Sequence, residues 1–128
     1  MKDKINFEPD VGRKEIEEVC KALGQKNLTS GITTQKFEKK ISQYLKSKYV
    51  VACSSGTSAL HISLVALEIA EYDEVIIPSM SFISTANTVR YVGAKPIFLD
   101  CDKYFNLNPS DLEIYLKNNT YKKNKKTF

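Results

Sequence analysis

A chain of 128 residues with 42% hydrophobic content has the length of one domain and enough apolar material for a core. Its formal charge of +4 does not make it a nucleic-acid binder, because Lys117 to Phe128 holds five lysines and no acid, leaving 14 basic residues against 15 acidic ones elsewhere. Cys20, Cys53 and Cys101 form no C-x-x-C pair, no apolar run reaches the length of a membrane span, and Met1 to Phe7 has no apolar leader. Reduced thiols, a cytoplasmic location and no membrane or nucleic-acid partner are therefore expected.

In chain order, Ile5 to Phe7 reads as extended and ends at Pro9. A helix is predicted from Arg13 to Leu23, with Ile16, Val19, Cys20 and Leu23 on one apolar stripe and Gly24 closing it. A polar loop, Gln25 to Thr33, precedes a second helix from Thr34 to Ser47, whose buried face is expected to hold Phe37, Ile41, Tyr44 and Leu45. The β-branched run Tyr49 to Cys53 reads as a strand. The turn Ser54 to Ser58 and a helix follow it.

That helix is apolar nearly all round, from Ala59 to Ala70, and is expected to be buried or to lie in an interface. Its His61 is the chain's only histidine and reads as structural, since no partner for chemistry is evident in the sequence. Glu74 to Pro78 is the next strand, and its Val75, Ile76 and Ile77 form a continuous apolar run as expected with both sheet faces covered. Ser79 to Ser81 form a hydroxyl-rich turn, and a helix from Ile83 to Val92 closes at Gly93. Pro96 to Leu99 is a third strand, ending in Asp100-Cys101-Asp102. Asn108 as N-cap and Pro109 in the first turn start a last helix to about Lys117. The lysine-rich end, 118–128, is expected to be disordered.

Alternating strands and helices imply an α/β layer with a largely parallel sheet, whose ligands bind at the carboxyl ends of the strands. Ser54 to Ser58, Ser79 to Phe82 and Asp100 to Asp102 all follow strand ends and should converge there. The Ser54–Ser58 turn admits two readings. A glycine among hydroxyls before a helix lets a phosphate approach free N–H groups at the positive end of the helix dipole. It can equally be a plain N-cap. Neither G-x-x-x-x-G-K-[ST] nor G-x-G-x-x-G is present.

Five ordered segments carry a resemblance. Ser55-Gly56-Thr57-Ser58-Ala59-Leu60-His61 resembles the S-G-T-x-A-L-H segment of the DegT/DnrJ/EryC1/StrS aminotransferases. Asn27 to Gly31 resembles their L-T-[TS]-G loop, and Phe37-Glu38 their F-E segment. Ile77 to Asn87 resembles P-x-x-[TS]-[FWY]-x-[AS]-T-A-N, and Gly93 to Asp102 resembles G-A-x-P-x-F-x-D-x-D. The likeness covers Ile5 to Leu116, and by it the chain is similar to the N-terminal part of a pyridoxal-phosphate (PLP) sugar aminotransferase.

The resemblance implies a truncated part of the large PLP-binding domain of a fold-type I aminotransferase, a three-layer α/β fold with a mostly parallel sheet. An N-terminal segment over 1–33 would precede the partial domain over 34–117. Pyridoxal 5'-phosphate is the implied cofactor, held by Ser55, Gly56 and Thr57 at its phosphate and by Phe82 stacked on its ring. From the residues alone, Phe82 reads instead as an ordinary core phenylalanine. Ser30 is the implied substrate contact. The implied partners of the full-length enzyme are a nucleotide-linked keto sugar, an amino donor such as glutamate, and a second copy in a homodimer. The family's Schiff-base lysine and the aspartate at the pyridine nitrogen lie beyond Phe128, so Asp100 and Asp102 are read as loop residues and no catalytic residue is assigned. The implied full-length activity is transamination, with the 128 residues inactive alone, as from a frameshift in adenine-rich lysine codons. The alternatives are a non-catalytic phosphate-ligand-binding module and a non-functional truncated product.

Overall fold

The computed structural model describes residues 9–24 and 31–120, together with the backbone of Lys122–Lys123 and Lys126–Thr127. The chain divides into two compact units, Met1–Ala52 and Cys53–Phe128.

The first unit holds helices α1, Arg13–Leu23, and α2, Ile32–Leu45. The Glu15 carboxylate accepts the Gly12 N–H at 2.8 Å, using up one of the orphan donors at the start of α1. The Gly24 N–H closes the helix on the Cys20 carbonyl at 3.1 Å. α2 begins two residues before the expected Thr34, because the extended Gly31 turns its carbonyl towards the N–H groups of Thr34 and Gln35. It stops short of Ser47 because Lys46 is left-handed, with φ 52°.

Both predicted stripes exist as patterns, but neither is buried. Ile16, Val19, Leu23, Phe37, Tyr44 and Leu45 are all exposed, and neither helix contains a buried residue. Periodicity fixes which residues share a face; burial requires a second apolar surface against it. The expected strand Tyr49 to Cys53 also falls outside the sheets. Backbone groups there bond to side chains instead: the Tyr49 carbonyl accepts from Ser47 Oγ at 2.8 Å, and the Ala52 N–H donates to Glu38 Oε1 at 2.9 Å.

The second unit runs α3, Gly56–Ala66; β1, Glu74–Pro78; α4, Ile83–Tyr91; β2, Lys95–Leu99; and α5, Pro109–Asn119. β1 and β2 pair in parallel, in register from Glu74↔Lys95 to Pro78↔Leu99. β1 has its expected bounds, and β2 takes in Lys95 because the Lys95 N–H bonds the Asp73 carbonyl at 2.9 Å. Ile77, Val89 and Ala94 form the buried core, flanked by the partly buried Leu64, Ile69, Val75, Ala86 and Val92. Of the two expectations for α3, burial within the chain is not met, because Leu60, Ile62 and Val65 are exposed, and the interface remains the other. A helix apolar on every side can turn only one side to α4.

α5 starts as expected. Pro109 needs no N–H acceptor, and Asn108 Oδ1 accepts the Ser110 N–H at 3.0 Å. It runs to Asn119, two residues past the expected end. Beyond it, β3 (Lys122–Lys123) and β4 (Lys126–Thr127) pair antiparallel, so part of the segment expected to be disordered carries a backbone ladder.

One ion pair spans the first rung of the parallel sheet. Lys95 Nζ donates to Glu74 Oε1 at 2.9 Å, and this bond and then the carboxylate's charge raise the Lys95 pKa above its ordinary 10.5. A raised pKa means stability present below 10.5 and lost as the pH rises through the raised value. Both side chains are exposed, so solvent screens the pair and the contribution is small. The expected result is a slightly lower unfolding midpoint for Lys95→Met at neutral pH, with the gap closing above pH 10.5. A gap that widened at alkaline pH would remove the ion pair as its cause.

Candidate functional site

The carboxyl ends of β1 and β2 are tied to one another. The Ser79 N–H donates to the Leu99 carbonyl at 2.8 Å, and the Met80 N–H donates to Cys101 Sγ at 3.4 Å. Ser81 Oγ lies 2.9 Å from Thr85 Oγ1, bracing the start of α4. This turn presents Phe82, whose backbone is extended and whose side chain is 81% exposed. That exposure overturns the reading of Phe82 as a core residue. Its ring lines a pocket of about 110 Å³ with Pro78, Ser79, Ile83 and Phe98 among its walls. A large aromatic left in solvent at a strand end is available to cover a flat ligand.

Gly93, the one described glycine with positive φ, closes the other end of the layer at φ 84°. A Cβ there would lie 3.5 Å from Glu71, so the α4–β2 turn meets the α3–β1 loop. α3 and α4 thus both end at the amino edge of the sheet, and packed side by side they both begin towards its carboxyl edge.

The start of α3 is the second part of the site. Ser55 is the N-cap, extended at φ −157°, with its Oγ accepting the Ser58 N–H at 3.1 Å and lying 3.0 Å from Ser58 Oγ. The Ala59 N–H takes the Ser55 carbonyl at 3.0 Å. Helix geometry leaves the N–H groups of Gly56 and Thr57 pointing outwards at the positive end of the dipole. Gly56 is the first residue of the helix and has no positive φ, so its backbone conformation does not require glycine. A Cβ at Gly56 would meet nothing within 4 Å, so the space where a side chain would stand at this helix start is open.

Asp102 is occupied in its own loop. Its Oδ1 accepts the N–H groups of Tyr104 and Asn106 at 2.8 and 2.9 Å, the strand-end role expected for it. His61 stacks edge-on against Tyr91 with ring centroids 5.7 Å apart, a packing contact between α3 and α4. Ser30 lies outside the described residues. Sequence reasoning missed Cys101 as a hydrogen-bond acceptor; a thiol in a D-x-D segment carries no signal that its sulfur will reach back across a strand end. Among the described residues, no group of three His, Cys, Asp or Glu side chains could hold a metal ion, and no helix is long and apolar enough to cross a membrane.

The parallel α/β unit is shared with solved fold-type I aminotransferases, of which it forms part of the large domain. The PLP form of the sugar aminotransferase Spr1654 of Streptococcus pneumoniae superposes with a TM-score of 0.76 at 33% identity, over 83% of this chain and 27% of that one. NtdA of Bacillus subtilis, solved with bound pyridoxamine phosphate (PMP), superposes at 0.73 with 38% identity, over 81% of this chain and 25% of that one. The chain belongs to the DegT/DnrJ/EryC1/StrS aminotransferase family, whose sequence pattern matches residues 9–124. GDP-perosamine synthase of Escherichia coli O157:H7 is 39% identical over 116 residues, 89% of this chain. The chain spans about a third of that relative's length, 32%.

Proposed function

We propose that this chain forms the cofactor-phosphate and ring-stacking edge of a PLP-dependent transaminase acting on a nucleotide-linked keto sugar, in amino-sugar or surface-polysaccharide biosynthesis. The open space before Gly56 carries the reading. It lies at a helix start whose outward N–H groups, on Gly56 and Thr57, match the oxygens of a phosphate monoester. The Ser55 hydroxyl accepts the Ser58 N–H, and with Ser58 Oγ as the donor between the two hydroxyls it keeps its own proton for the same anion. Phe82 covers the ring face. Bound there, PLP supplies an electron sink for transferring an amino group.

The residues have limited roles in this reading. The α3 start holds the phosphate and so fixes where the ring sits, and Phe82 holds the ring flat and keeps water from one face. Ser30 contacts substrate. No lysine occurs in Ser54–Ser58, Ser79–Phe82 or Asp100–Asp102, so these segments bind cofactor without supplying the amine that would hold its aldehyde. Family membership and the likeness to GDP-perosamine synthase support the sugar nucleotide as substrate. Glutamate as donor and a homodimer as the working enzyme complete the proposal. The odd, unpatterned set of three cysteines supports a cytoplasmic setting.

Equilibrium dialysis of the chain against PLP and against pyridoxal tests the phosphate site. Because pyridoxal closes on its own 5'-hydroxyl as a hemiacetal and PLP cannot, the comparison is repeated with pyridoxamine phosphate and pyridoxamine, which carry no aldehyde to react with lysines. PLP should bind the more tightly. Gly56→Leu fills the open space and should reduce PLP affinity about tenfold or more, the equivalent of one charge-assisted hydrogen bond, without lowering the unfolding midpoint. Equal affinity of the wild-type chain for the two ligands would sink the proposal. Equal binding of inorganic phosphate and PLP would favour a non-catalytic phosphate-binding module.

A further inference from the structure

The turn that carries Phe82 is held by few contacts, and two of them converge on one sulfur atom. Ser79 is bonded to Leu99 through its backbone. The next residue, Met80, donates its N–H to Cys101 Sγ at 3.4 Å, and Ser79 Oγ sits 3.8 Å from the same atom. Phe82 itself is mostly in solvent, so its ring position is set by the backbone beneath it more than by packing around it.

Cys101 is well placed for that task. It pairs with Leu107 in an isolated antiparallel bridge, and the Asn108 N–H bonds the Asp100 carbonyl at 3.2 Å. The Asp102 carboxylate ties down the intervening loop. The sulfur therefore projects from an anchored backbone towards the near end of the turn, whose far end is held by the Ser81–Thr85 hydroxyl contact and by the Thr85 N–H on the Phe82 carbonyl at 3.0 Å.

We infer that Cys101 is a positioning residue for the cofactor site: its sulfur, by accepting the Met80 N–H, sets the Ser79–Ser81 turn and hence the Phe82 ring. The inference rests on the reading of Phe82 as the stacking residue. It implies that Cys101 acts on the cofactor only through Phe82, and that the sulfur's acceptor role, rather than thiol reactivity, is what counts.

A double-mutant cycle in the full chain tests it, with PLP affinity read by equilibrium dialysis. Phe82→Ala and Cys101→Ala should each weaken PLP binding, Cys101→Ala by a fewfold. The double variant should bind no more weakly than Phe82→Ala alone, because a ring already removed cannot be mispositioned. Cys101→Ser, which keeps an acceptor, should recover part of the loss. Wild-type affinity in Cys101→Ala, or losses that multiply in the double variant, would overturn the inference.

Amide hydrogen exchange without cofactor separates this failure from failure of the functional reading. Cys101→Ala should speed exchange at Met80 and across the turn while leaving the β1–β2 ladder protected. Unchanged exchange at Met80 overturns the positioning role even if PLP binds. Faster exchange with no effect of Phe82→Ala on PLP would keep the tether but remove Phe82 from the cofactor site, and with it the inferred role of Cys101.

Discussion

Ile77→Ala is expected to destabilise the Cys53–Phe128 unit by about 3 kcal/mol, within the range for deleting a buried isoleucine's outer carbons. Ile77 lies at 4% exposure in β1 and meets Val89 of α4 and Ala94 at the entry to β2. These three are the whole fully buried apolar core among the described residues. A domain of ordinary stability has only about 5–15 kcal/mol to lose, and one with so small a core sits near the bottom of that range. The loss should therefore show as a collapse of the cooperative transition in a denaturant titration followed by circular dichroism. The carboxyl edge of the sheet depends on the same core, so PLP affinity should fall with it. A cost below about 1 kcal/mol, as for a well-tolerated hydrophobic swap, would mean that the three side chains do not form the stabilising centre.

Gly93 is the second sensitive position, for a different reason. At φ 84° its backbone occupies a region that a Cβ disfavours by about 1–2 kcal/mol. Space is not the obstacle, since an added Cβ would stand 3.5 Å from Glu71, an ordinary contact. Gly93→Ala should therefore cost about 1–2 kcal/mol. Gly93→Val should cost more, because branching at Cβ worsens the backbone clash, and Gly93→Asn less, because asparagine tolerates the left-handed region. The order Asn, Ala, Val in unfolding midpoint is the check. Valine equal to alanine would show that the turn relaxes to negative φ. The turn leads directly into Ala94 and Lys95, so that relaxation would also disturb the register of β2 on β1.

Gly56 and Gly93 divide the two uses of glycine between them. Gly93 is needed for its backbone angle and faces ordinary packing. Gly56 has a helical backbone that any residue could adopt, and open space where a side chain would go. The first is a requirement of the fold, and the second fits a requirement of a ligand. Substitution should separate them: changes at Gly93 lower stability, whereas changes at Gly56 leave stability intact and alter what binds.

Local signals in the sequence determined the elements of this protein and much of its candidate site. β1 keeps its predicted bounds because the apolar run Val75 to Ile77 fits a strand and is followed by Pro78 and the hydroxyl-rich turn Ser79 to Ser81. α5 begins where Asn108 and Pro109 place it, and α1 ends at Gly24. Ser55, Gly56 and Thr57 were legible as a helix start because capping is a property of neighbours in the chain. The tertiary structure alone decided burial and pairing, because these depend on surfaces distant in sequence. The stripes of α1 and α2 and the apolar surface of α3 stay exposed; Tyr49 to Cys53 bonds side chains instead of a strand; and Phe82 stands in solvent on a turn held by Cys101 Sγ. A strand and a core exist only where a second segment supplies the other half of the hydrogen bonds or the apolar contact, and no local pattern states where that segment lies.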